Sequence, residues 1–294
     1  MMKKAAVLLI ILSLFIFSAG AQEKEIYELP SWLILEYSRK AYGENELGVA
    51  LRYAREAIEK EGRFYPEAEI LIGDVFRAES NIELAERQYE KALKNSRQLY
   101  VLNDKYRILY KLADIRSDRK PEEYEQTLQQ ILEDDELYIR AVTTDLGTKM
   151  VTMLLDEGLD KLLVLYRLES YHSLRAHSEL GRLYSEQGKW EKAVLHFIFS
   201  VVTIFSRCIE EYKIYDPEYI FEDADVLFNS TKRYAAIQEY INETSLFRNM
   251  YYLGINLLNL GADAGTVREI WETARMHTDN ERLKNTLDTE LQNL

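Results

Sequence analysis

The chain has 294 residues, of which 47% are hydrophobic and 30% charged, a balance that excludes a disordered or fibrous protein. Its formal net charge of −13 disfavours a nucleic-acid ligand, because phosphates are neutralised by a concentrated basic surface. Only 4 Pro and 12 Gly interrupt a composition rich in helix-forming residues, so we predict an all-α fold.

The N-terminus has the pattern of a signal peptide. Lys3 and Lys4 precede an apolar run at 5–17, and small residues follow up to Ala21. We expect cleavage before Gln22, which leaves residues 22–294 as a periplasmic repeat domain with no transmembrane span. An uncleaved membrane anchor is the alternative, although a spanning helix needs about 20 apolar residues.

Helical hairpins follow the leader, beginning with a weak copy at 31–64 and a clear one at 66–99. Three further segments, at 107–132, 147–168 and 222–241, contain two amphipathic stretches around a short break. The remaining clear hairpins lie at 174–207 and 247–280, and a polar amphipathic helix ends the chain as a cap. Each proline is expected to open a helix, because a first turn does not need its missing N–H group: Pro30, Pro66, Pro121 and Pro217.

The stretch "ELGRLYSEQGKWEKAVLHF" (179–197) explains the pattern physically. Gly181 and Tyr184 share one helical face, and Ala193 shares a face of the next helix with Phe197. Small residues allow two helices to cross closely, while the aromatic rings fill the space around the crossing. A hairpin this short cannot bury both faces, so it needs neighbours of the same kind.

These residues resemble the tetratricopeptide repeat family in its secreted bacterial form. The family pattern is carried most completely by Leu180, Gly181, Tyr184, Ala193 and Phe197. The resemblance implies a right-handed superhelix, or solenoid, of about seven hairpins with a C-terminal capping helix. The middle segments depart from the pattern, so the regularity of the repeats at 100–172 and 208–245 is left open.

No motif for catalysis, phosphate binding or metal binding is present, and we expect neither enzymatic activity nor a cofactor or metal. The histidines are expected on ordinary helix surfaces or in packing: His172, His177, His196 and His277. The single cysteine, Cys208, is expected to be a buried thiol. The apolar segment 194–205 is expected to be buried between hairpins, with a partner-docking surface as the alternative.

The resemblance also places a ligand groove on the first helix of each hairpin. The residues expected to line it are Leu35, Arg39, Tyr42, Ile70, Asp74, Arg77, Ser178, Arg182 and Ser185. The arginines suit an acidic or carboxylate-bearing ligand through forked hydrogen bonds. The alternative is a set of solvated charges on an unused face. The Lys and Asn clamp with which some relatives hold chaperone tails is not matched here.

The function expected from this reading is a non-catalytic scaffold or adaptor that binds a protein or peptide partner in the cell envelope. Complexes for secretion, outer-membrane assembly, uptake or the flagellar motor are the settings that the resemblance implies. The alternative is a repeat protein that binds a small ligand or a cell-wall glycan, which the 21 Tyr and 3 Trp encourage.

Overall fold

The computed structural model describes residues 28–165 and 171–294, and it contains no β-strand in those ranges. The described chain forms sixteen α-helices and two short 3-10 helices, which confirms the predicted all-α class. The predicted signal peptide, residues 1–21, lies outside the described residues.

The chain divides into two compact units, which meet in sequence at Tyr124 and Glu125. Unit one contains α1 (Ser31–Gly43), α2 (Leu47–Glu61), α3 (Pro66–Ala78), α4 (Ile82–Lys94), α5 (Asp104–Arg116) and the start of α6 (Pro121–Ile131). Unit two continues with α7 (Glu136–Thr143), α8 (Leu146–Glu157), α9 (Leu159–Leu163), α10 (Tyr171–Glu186), α11 (Trp190–Lys213), α12 (Ala224–Thr231), α13 (Ala235–Glu243), α14 (Leu246–Asn259), α15 (Ala264–His277) and α16 (Glu281–Asn293).

The helix boundaries follow local chemistry. Pro66 occupies the first turn of α3, and the Asp223 side chain caps α12 by accepting a hydrogen bond from the Val226 N–H at 2.7 Å. α2 ends at Gly62, whose φ of 69° is the left-handed conformation that glycine adopts without strain. Pro217 corrects one expectation: it lies in the turn after α11 and opens no helix, because α12 begins at its own cap.

Unit one is built by sequential packing. α1 packs on α2, α2 on α3, α3 on α4 and α4 on α5, while α1 also contacts α3. The first helices of the first two hairpins therefore lie side by side. This order agrees with the nearest-neighbour contacts of a repeat array.

Three glycines lie at helix crossings, as the sequence predicts for small residues. A methyl group added to Gly181 would lie 2.9 Å from the Phe197 ring. Gly73 faces Tyr89 and Gly254 faces Trp271 even more tightly, so a side chain at any of the three positions would force the facing ring to shift. In the first hairpin the small position is Ser38, whose buried hydroxyl donates to the Ala50 carbonyl at 2.5 Å. The stretch at 179–197 is thus a packing unit.

Unit two departs from sequential packing. α11 contacts α10, α14, α8, α13 and α9, and α14 packs directly on the α10–α11 pair. α9 also contacts α15, where the Leu159 N–H donates to Glu269 Oε1 at 3.2 Å. A regular repeat array would pair only consecutive hairpins, so these long-range contacts show a more compact arrangement inside unit two.

α11 is the core helix of unit two. Every residue of the 194–205 segment except Leu195 is buried, as predicted. In the described part of the chain, α11 alone is long and apolar enough to cross a membrane by length and composition. However, 83% of its most apolar window is buried by the surrounding helices, so it packs as an interior helix.

Candidate functional site

A cavity of about 460 Å³ lies in unit one between α1, α3 and α5, which are the first helices of three successive hairpins. Most of the side chains that line it carry a polar group, and they include both signs of charge. The lining residues are Arg39, Tyr42, Glu67, Ile70, Leu71, Asp74, Asp104 and Arg107. Four of the expected groove residues, Arg39, Tyr42, Ile70 and Asp74, therefore meet at one cavity.

Asp74 is already neutralised within unit one. The Tyr89 hydroxyl donates to its Oδ1 at 2.6 Å, and Lys111 Nζ donates to the same oxygen at 2.6 Å. Burial raises the pKa of Tyr89, and the hydrogen bond to Asp74 raises it further, so the phenol remains a donor. Asp74 thus forms part of the cavity wall but offers little free charge to a ligand.

The remaining expected residues of unit one differ in their partners. Arg39 is exposed and pairs with Glu36 on its own helix. Arg77 pairs with Asp114 at 3.5 Å and is not among the residues that line the cavity. Burial, followed by the Asp74 charge, raises the pKa of Tyr42 while Arg77 opposes the shift.

Sequence reasoning missed Glu67, Asp104 and Arg107. Glu67 follows Pro66 in the first turn of α3, where an acid is explained by the helix dipole alone. Glu67 is only 8% exposed, and its Oε1 accepts a hydrogen bond from the Tyr100 N–H at 2.7 Å. The signal that could have found it is the spacing of Glu67, Ile70 and Asp74, which places all three on one stripe of α3.

The expected groove residues of unit two lie on α10 in different environments. Arg182 is exposed and Ser185 is half-buried. The Ser178 hydroxyl lies 2.9 Å from Ser200 Oγ and accepts a hydrogen bond from Asn249 Nδ2 at 3.1 Å. Ser178 therefore takes part in the packing of α10 against α11 and α14.

Two buried histidines of unit two, His177 and His196, belong to one polar network. His177 Nδ1 lies 2.9 Å from His196 Nδ1, and His177 Nε2 lies 3.3 Å from Asp135 Oδ2. The Tyr138 hydroxyl lies 3.4 Å from His196 Nε2. Burial lowers the pKa of His196 well below its usual value, and the neighbouring His177 lowers it further. Because His177 and His196 are at most 2% exposed, the network is part of the interior packing of α10 against α11.

Two other groups have the character of packing residues. Cys208 is buried, and burial raises the pKa of its thiol to about 12, which makes it unreactive. His277 is buried on α15 with its Nε2 2.8 Å from Asp225 Oδ1. Among residues 28–165 and 171–294, no cluster of three His, Cys, Asp or Glu side chains has the geometry to hold a metal ion.

Comparison with known proteins gives one relative of modest similarity. No family model matches the chain. A protein of Treponema pallidum (strain Nichols), described only as uncharacterized, is 26% identical over 208 residues, which cover 70% of this chain and 56% of that protein. The chain thus matches only about half the length of that relative.

Proposed function

We propose that the protein is a non-catalytic interaction scaffold of the bacterial envelope that holds a segment of a partner protein in the cavity of unit one. The observation that carries the proposal is that α1, α3 and α5, the first helices of three successive hairpins, line one cavity of about 460 Å³. A side-by-side set of helices presents its ligand contacts at regular intervals, which suits an extended chain.

The cavity wall offers the contacts that a peptide needs. Arg39 and Arg107 supply N–H donors, while Glu67 and Asp104 supply acceptors. Tyr42, together with the apolar side chains between the charges, gives contact area for a side chain. A peptide backbone carries both donors and acceptors, so a mixed wall of this kind fits it better than a wall of one charge would.

The architecture and location form part of the proposal. We propose that the hairpins are tetratricopeptide-like and stack as a solenoid, supported by the recurrent glycine–aromatic crossings and by the sequential packing within unit one. Export to the periplasm is supported by the basic start, apolar run and small residues of 1–21. The partner would accordingly be a protein of the cell envelope.

The test compares two double variants of the 22–294 chain in quantitative affinity capture from an envelope extract. Arg39→Ala with Arg107→Ala removes both cavity arginines, whereas Arg87→Ala with Arg97→Ala removes two exposed arginines of unit one that do not line the cavity. Both double variants change the net charge equally. Helix content and melting temperature are measured first for each.

We expect the cavity variant to capture at least about 10-fold less partner than the parent chain, because each arginine contributes charge-assisted hydrogen bonds. The control variant should capture as much partner as the parent chain. Equal capture by both variants would place the binding surface elsewhere. Retention of purified cell-wall glycan in place of any protein would favour the small-ligand or glycan class.

A further inference from the structure

We infer that Glu67 is the recognition group for a basic side chain, lysine or arginine, of the bound segment. This inference rests on the proposed function, because it assigns a ligand class to the same cavity. The inference extends the proposed function by naming the kind of side chain that the cavity selects.

The Glu67 carboxylate is buried and only partly hydrogen-bonded. Oε1 accepts the Tyr100 N–H at 2.7 Å, but Oε2 has no hydrogen-bond partner in the described part of the chain. A buried carboxylate oxygen without a donor is costly, because water is lost and nothing replaces it. Because Glu67 lines the cavity, this oxygen is an acceptor that a ligand reaches once the carboxylate turns.

Glu67 is the exception among the buried carboxylates of unit one. Glu69 pairs with Lys91 at 2.5 Å, Asp74 with Lys111 at 2.6 Å, and Glu86 with Arg116 at 2.8 Å. Glu67 is buried to a similar extent and forms no ion pair with another described residue. The missing partner is therefore a cation, which is the group that the chain supplies to every other carboxylate of this set.

The dipole of α3 does not account for the difference. Glu67 and Glu69 both lie in the first turn of α3, where the N-terminal partial charge favours an acid. Glu69 nevertheless has Lys91 as a partner. The same helix end thus holds one carboxylate with a cation and one without, and only the one without lines the cavity.

The geometry suits an incoming ammonium or guanidinium group. The terminal torsion of a glutamate is soft, so the carboxylate can turn to present Oε2 to an incoming cation. Both oxygens move together in such a rotation, so the Oε1 contact with the Tyr100 N–H shifts as well. Asp104 lines the same cavity and offers a second carboxylate within it. Among the neighbouring cations, Arg39 pairs with Glu36 and Lys111 pairs with Asp74. Arg107 lines the same cavity but forms no ion pair with Glu67 in the described part of the chain.

The test uses fluorescein-labelled nonapeptide libraries with a fixed central residue and randomised flanking positions. The central residue is Lys, Arg, Glu or norleucine, the last being an uncharged analogue of the lysine side chain. Binding to the 22–294 chain is measured by fluorescence anisotropy. The variant is Glu67→Gln, which keeps an acceptor for the Tyr100 N–H but removes the charge.

Glu122→Gln is the matched control, because Glu122 follows Pro121 in the first turn of α6 as Glu67 follows Pro66, yet it is exposed. We expect the Lys and Arg libraries to bind about 10-fold more tightly than norleucine, since a charge-assisted hydrogen bond is gained. Glu67→Gln should abolish that preference, so that the Lys and Arg libraries bind the variant no more tightly than the norleucine library does. Glu122→Gln should behave like the parent chain.

A second measurement needs no variant and covers the case in which Glu67→Gln fails to fold. A carbodiimide joins a carboxylate directly to a bound amine, so the Lys library should be crosslinked to Glu67, as mapped by mass spectrometry. Crosslinks spread over exposed acids without Glu67 would overturn the inference. Libraries that bind equally well whatever their central residue would also overturn it but leave the proposed function standing. If no library binds at all, both are wrong.

Discussion

At the scale of single residues, the crossing glycines make the most direct prediction. Gly254→Ala should lower the free energy of unfolding by about 1–3 kcal/mol, because its methyl group would meet the Trp271 indole, whose N–H donates to the Tyr251 carbonyl at 3.1 Å. Gly48→Ala, on α2 with nothing near its new methyl group, should raise it by about 0.5–1 kcal/mol. Urea unfolding followed by circular dichroism measures both, and changes of the same sign would contradict the packing argument.

His196 predicts a pH dependence. Its pKa is lowered by burial first, then by His177 and Lys192, while Asp135 opposes the shift. Near pH 6.5 the His196 imidazole therefore binds a proton in the unfolded chain but not in the folded chain. The stability that comes from neutral His196 is fully present above about pH 6.5. It is lost as the pH falls below that value, by up to about 1.4 kcal/mol per pH unit.

Urea unfolding at a series of pH values between 7.5 and 5 measures this slope. His196→Gln should reduce the slope, because glutamine does not titrate in this range. The other groups of the network, on the elements packed against α11, are His177, Asp135, Tyr138 and Tyr184. A variant with the same slope as the parent chain would show that other groups control the acid response.

At the scale of elements, the packing of α11 against α10 and α14 depends on a buried polar contact as well as on apolar surface. Asn249 Nδ2 donates to Ser200 Oγ at 2.8 Å and to Ser178 Oγ at 3.1 Å, with Asn249 4% exposed. Asn249→Ala should cost about 1–3 kcal/mol, because the buried Ser200 hydroxyl and the partly buried Ser178 hydroxyl both lose a donor.

Asn259→Ala is the control on the same helix, since Asn259 is exposed and bonds only to a carbonyl of α14. Its effect should stay within about 0.5 kcal/mol, as for other surface substitutions. Thermal and urea unfolding of the two variants measure the difference. Equal losses would mean that the hydroxyls find other donors.

At the scale of the whole molecule, the sequence predicts that a signal peptidase removes residues 1–21. When the chain is expressed in a bacterium with a periplasm, the recovered protein should begin at Gln22, as read by intact-mass and N-terminal peptide mass spectrometry of the periplasmic fraction. The physical reason is that the 5–17 run suits a signal-peptide core but is too short to span a bilayer. A membrane-bound chain that still begins at Met1 would contradict both the cleavage and the periplasmic assignment.

The sequence by itself determined the helical class, the places where helices pair, and the small residues at three crossings. These follow from local rules, because offsets of three and four residues define a helical face and a glycine opposite an aromatic ring defines a close approach. Gly181 was readable in this way, and Gly73 and Gly254 repeat its position in the hairpins at 66–99 and 247–280. α7 carried no comparable signature, and the sequence did not predict it.

Only the tertiary structure decided which charges are satisfied. Glu67 and Glu69 are both acids in the first turn of one helix, yet Lys91 from the next helix pairs with Glu69, whereas Glu67 has no cation partner among the described residues. Likewise, Asp74 forms an ion pair with Lys111, which is distant in sequence. The burial of a charged side chain and the identity of its partner depend on residues that are distant in sequence and adjacent in the fold. Local periodicity does not predict these contacts.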